Sequence, residues 1–160
     1  MCRTIPARRL SSTLICVLAL LATCACQFDP YTLSYAKTKP NVKDITGFWE
    51  ATDRTLRDLA GTKYSAAHPT ISVAANGTIK MKDIPDAWQD DTGEGNGTLE
   101  TFVGTWKLDK HQDWWGLEIR RGDWGCSGCL MILDQAPPYH LVIRVGDPDL
   151  GIGYEFRKAG

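Results

Sequence analysis

Phe102-Val103-Gly104-Thr105-Trp106-Lys107-Leu108-Asp109 alternates apolar and polar residues with a period of two, which is the mark of a half-buried strand. Phe102, Gly104, Trp106 and Leu108 fall on one face, and Thr105, Lys107 and Asp109 face water. The stretch that follows repeats the pattern: Leu117 and Ile119 oppose Glu118 and Arg120, and Tyr139, Leu141, Ile143 and Val145 alternate with His140, Val142 and Arg144. Turn residues break the chain at short intervals. Between them lie eight candidate strands: Thr46 to Thr52, Thr70 to Ala74, Thr78 to Asp83, Thr101 to Asp109, Trp115 to Arg121, Cys129 to Leu133, Tyr139 to Val145 and Gly153 to Arg157. One helical turn is expected at Arg54 to Ala60, capped by Asp53 and stopped by Gly61.

Register follows from the same pattern. A two-residue Asn76-Gly77 turn would put Ile79 and Met81 on the opposite face from Ile71 and Val73. A three-residue loop of Ala75, Asn76 and Gly77, with Gly77 left-handed, instead pairs Val73 with Ile79 and Ile71 with Met81, so all four share one face. One-sided antiparallel strands must bury their apolar faces against one another, and closing the sheet removes exposed edges. The expected fold is therefore all-β: an antiparallel, eight-stranded, up-and-down barrel over residues 45–158, with one short helical turn. At eight strands the interior just fits side chains or one small ligand.

Gly47-Phe48-Trp49 at the opening of the first strand resembles the Gly-x-Trp signature of lipocalins and other calycin barrels, including avidin-like ones. The resemblance implies that Gly47 and Trp49 close one end of the barrel, with an arginine from near the chain end laid on the indole. Arg157 is the first candidate for that cation and Arg144 the second. A guanidinium on an indole is worth roughly 1 to 2 kcal/mol when partly desolvated.

The first 25 residues carry a different message. Arg3, Arg8 and Arg9 precede the apolar run Leu10 to Ala22, and Leu21-Ala22-Thr23-Cys24-Ala25-Cys26 ends it. The run is shorter than the ~20 residues a membrane-spanning helix needs. The segment resembles the cleaved signal peptide of bacterial lipoproteins, although Thr23 stands where a smaller residue is usual. That resemblance implies a lipid on Cys24, or alternatively Cys26, and an extracytoplasmic domain anchored to the outer membrane or cell surface. Residues 26–44 lack periodicity and carry Pro30, Pro40, Ser34 and Thr38, so they read as a flexible tether.

Charge limits the partners. The first 25 residues hold three arginines and no acids, so the whole-chain balance of 18 basic to 19 acidic residues becomes 15 to 19 without them. A mildly acidic domain offers no clustered Lys and Arg for nucleic acid. Its chemistry is sparse as well. Cys126-Ser127-Gly128-Cys129 leads into the strand-like Leu130-Met131-Ile132-Leu133 rather than a helix, which favours a structural disulfide over a redox centre. His68, His111 and His140 have no zinc-finger spacing, and Asp90 to Gly97 departs from the EF-hand template, so no metal or other cofactor is expected and that stretch reads as a solvated loop. Asn76-Gly77-Thr78 and Asn96-Gly97-Thr98 read as turns. Hydrolase and phosphate-loop signatures are missing.

These features point to a binding protein, not an enzyme. The leading expectation is a carrier or scavenger of a small apolar or aromatic ligand, with Trp88, Trp114, Trp115 and Trp124 at turns as candidate contacts. The alternative is a protein-interaction module with a filled barrel, an inhibitor or envelope assembly factor. A thiol redox function at Cys126 and Cys129 comes third.

Overall fold

The computed structural model describes residues 34–90, 92–147 and 151–160. Eight antiparallel strands close into an up-and-down barrel in chain order: β1 Gly47–Ala51, β2 Thr70–Val73, β3 Thr78–Pro85, β4 Leu99–His111, β5 Trp114–Arg121, β6 Trp124–Leu133, β7 His140–Arg144 and β8 Gly153–Lys158. Antiparallel pairing of β8 with β1 closes the ring, leaving no edge strand. The first hairpin has the expected register, Ile71 facing Met81 and Val73 facing Ile79, with Gly77 left-handed at φ 85°. The Asn76 side chain accepts from the Thr78 amide, which is turn chemistry.

Inward-facing side chains fill the barrel. Trp49, Ile71, Ile79, Met81, Leu117, Ile119, Leu130, Ile132, Leu141 and Phe156 are all enclosed. The outward row is not uniformly wet. Glu118, expected in water, is buried beneath Lys107 Nζ at 2.6 Å and Arg120 Nε at 2.5 Å. Those two hydrogen bonds hold its carboxyl below the usual range.

Among the described residues, two α-helices sit at opposite ends. α1 (Val42–Ile45) lies under the end where β1 begins, with Ile45 buried. α2 (Asp53–Ala60) lies at the other end, and Gly61 is its C-cap as expected. Its N-cap is Thr52 instead of Asp53: the Thr52 hydroxyl accepts from the Thr55 amide.

The tether reading of residues 26–44 is corrected over its described part. Ser34 to Thr46 form a strap fastened to the barrel. The Ala36 amide donates to the Ile132 carbonyl at 2.9 Å, and the Trp115 amide donates to the Ala36 carbonyl at 2.8 Å, so the strap wedges between β5 and β6. Tyr35 bridges to Leu133 and packs outside the barrel with Met131, Val142 and Trp114. These contacts bury apolar side chains on the outer face of β6 and β7, which repays the ordering of the segment. Among the described residues no helix is long and apolar enough to cross a membrane.

Candidate functional site

The links after β1, β3, β5 and β7 lie at one end of the barrel and form its mouth, their described residues being 52–69, 86–90 with 92–98, 122–123, and 145–147 with 151–152. At the opposite, closed end, Trp49 is fully enclosed and its indole N–H donates to the Ile45 carbonyl of α1 at 2.9 Å. The cation on its ring is Lys158, not Arg157: Lys158 Nζ lies 5.8 Å from the ring centroid and donates to the Lys43 and Asp44 carbonyls. Register explains the correction. Lys158 pairs with Trp49 while Arg157 pairs with Glu50 and turns outward toward Asp53. Parity could have found it, because Lys158 shares the inward phase of Tyr154 and Phe156. Gly47 serves this same contact, since a Cβ there would come within 2.6 Å of Lys158 Cε. Arg144, the second candidate, instead donates to the Tyr35 hydroxyl at 3.0 Å.

Across the mouth lies the β3–β4 connection, which is bolted down rather than loose. It begins with a 3-10 turn, Asp86–Gln89. The Asp86 carboxylate accepts from the Tyr64 hydroxyl at 2.5 Å and from the amides of Asn96, Gly97 and Thr98 at 2.9 to 3.3 Å. Burial pushes the Asp86 carboxyl up, but these donors outweigh it and hold it below the ordinary carboxylate range. Burial, reinforced by the bond to Asp86, raises the Tyr64 hydroxyl. Asp90 accepts from the Thr92 and Gly95 amides, 3.0 and 2.8 Å away, and is lowered by them. The far tip touches the β7–β8 link: a Cβ on Gly146 would lie 2.9 Å from Gly93 Cα. The solvated-loop reading thus gives way to a lid held by carboxylate-to-amide bonds.

Trp88 rides on this lid. It is 8% exposed, stacked on Phe102 at 6.3 Å and edge-on to Trp124 at 5.6 Å, and among the described residues its indole N–H has no partner. The other turn tryptophans do not join it as a set. Trp124 stands 40% exposed at the rim, Trp114 lies outside the barrel between Tyr35 and His111, and Trp115 is half-buried below with Lys39 Nζ 5.4 Å from its ring. On the other side of the lid, Leu59, Tyr64, Val145, Ile152 and Tyr154 help line a concavity of about 710 Å³ rimmed by Arg54, Lys63 and Glu94. Burial pushes the Tyr154 hydroxyl up.

Cys126 and Cys129 are disulfide-bonded within β6, where the register with β5 slips between Leu117 and Ile119. The bridge closes a bulge whose Ser127 reaches the outer face of β4, bonding His111 Nε2 at 2.8 Å and the Asp109 carboxylate. Both sulfurs belong to a strand, not to a helix N-terminus of the kind that favours a thiolate. Among the described residues no group of three or more His, Cys, Asp or Glu is placed to hold a metal ion. Cys24 and Cys26 lie outside the described residues. Compared with protein-family models, with curated proteins and with solved structures, the chain matches none.

Proposed function

We propose that this chain is a protein-interaction module: a filled, calycin-like barrel, held outside the cytoplasm by a lipid on Cys24 after removal of its signal peptide, that docks an envelope protein on its mouth face. The observation that carries the reading is the filling of the barrel by its own side chains, finished at the mouth by Trp88 and a bolted lid. A carrier needs an interior space, and an eight-stranded barrel filled to this degree spends that space on stability. The rim then offers the recognition surface. It presents the exposed side chains of Trp124 and Ile152, apolar groups that gain by burial against a partner.

One observation favours a second reading. The concavity of about 710 Å³ between α2 and the β7–β8 link has apolar and aromatic walls and the size of a small-molecule site. It would suit a carrier or scavenger of a small apolar or aromatic ligand held at the mouth instead of the interior.

Native mass spectrometry of the full-length protein released from its host's membranes separates these readings. The expected result is a lipid-modified Cys24 and a complex with a second protein that is lost when Trp124 and Ile152 are both changed to Ser. A small non-covalent adduct in place of a protein partner would transfer the assignment to the carrier, and an unmodified Cys24 and Cys26 would remove the lipid anchor.

A further inference from the structure

The rim holds a cleft with chemistry of its own. Arg121 ends β5 and Trp124 opens β6; they pair directly across the Gly122–Asp123 turn, so both side chains emerge on one face. The Arg121 guanidinium lies 5.3 Å from the centre of the Phe102 ring. Together with Gln89 these residues wall a concavity of about 220 Å³. Gln89 is committed, its amide donating to Glu100 at 2.7 Å. Arg121 is not: among the described residues its one recorded interaction is with the Phe102 ring, and no carboxylate pairs with it.

We infer that this cleft binds a small aromatic carboxylate. A guanidinium lying against a ring still has its planar fork of N–H donors to give, and a carboxylate is the acceptor that matches that fork. The indole of Trp124 supplies the surface on which the ligand's ring packs. A cleft of about 220 Å³ has room for the ring and carboxylate of a one- or two-ring acid. A neutral ring leaves the charge unmet, and a cationic ring is repelled by it. The cleft shares Trp124 with the docking surface but does not rest on the docking reading, since a barrel that engages no protein at its rim still carries it.

Trp88 packs against two of the walls, and its indole N–H, without a partner among the described residues, supplies a reporter. The full-length protein, isotopically labelled, is titrated with 2-naphthoate and separately with neutral 2-naphthalenemethanol, following the indole proton resonances of Trp88 and Trp124. The expected result is saturable shifts of both resonances, with the acid bound about tenfold or more tightly than the alcohol. Arg121→Gln erases that preference by weakening the acid alone, whereas Trp124→Ala weakens both probes. Equal affinity for the two probes, acid binding that survives Arg121→Gln, or no saturable shift at millimolar acid would each overturn the assignment. Unchanged methyl resonances of Leu117 and Leu130 show that the variants remain folded.

Discussion

A tryptophan with no exposed surface and a single backbone acceptor has nowhere else to go, and Trp49 is such a residue. Trp49→Ala removes a large ring from a packed core, so we expect a loss of about 3 to 5 kcal/mol in chemical denaturation. The neighbouring cations separate two accounts of the closed end. Lys158→Ala should cost about 1 kcal/mol, through the ring and the two α1 carbonyls it serves. Arg157→Ala should stay within about 0.5 kcal/mol, because that side chain is exposed and 3.9 Å from its one carboxylate. Equal costs at the two positions would contradict the register. Trp49 was legible because Gly47 and the strand pattern mark it. Trp88 was not, because acids flank it and its burial depends on Phe102 and Trp124, strands away in the fold.

The eight strands were readable because each carries its own alternation, and the β2–β3 register because apolar residues on both sides of one turn must agree on a face. Strand ends were less so. β4 runs on to His111 and β6 starts at Trp124, five residues before the expected start, because pairing with neighbours and a disulfide-closed bulge extend them where no alternation exists. The lid was misread for a related reason: a run of acids and glycines looks solvated until a fold places amides around the carboxylates. Asp86 sets its pH behaviour. Its carboxyl is depressed in the folded state, so its contribution is fully present above the unfolded value and is lost as pH falls through the lower folded value. The Asn96, Gly97 and Thr98 amides should therefore lose protection against exchange, measured relative to the intrinsic rate at each pH, as pH falls, and Asp86→Asn should produce the same loss of protection at neutral pH. Exchange at these amides that ignores the Asp86→Asn change would refute the bolting role. Gly146→Ala tests the other end of the lid. At φ 64° and against Gly93 backbone it should cost about 1 kcal/mol or more, read as a lowered melting temperature.

At the scale of the whole molecule, closure followed from counting one-sided strands, but the strap was out of reach. Tyr35 and Ala36 show no periodicity, and their partners Leu133 and Ile132 come almost a hundred residues later. The strap's contribution can be measured: Tyr35→Ala uncovers Met131 and Val142 on the outside of the barrel and should cost roughly 2 kcal/mol in chemical denaturation. A negligible change would mean that the strap rests on the barrel without stabilising it.

The strap also acts as geometry. The earliest contact among the strap's described residues, the Ser34 carbonyl bonded to the Asp134 amide, lies beside the β6–β7 link at the closed end. A chain extends at most about 3.3 to 3.6 Å per residue, so an anchor on Cys24 can lie no more than about 35 Å from that point. A leash running free to Asp44 would allow roughly twice that. Under the lipid anchor proposed above, the shorter bound would keep the barrel close to the membrane, its floor nearer the bilayer than the Trp124 rim.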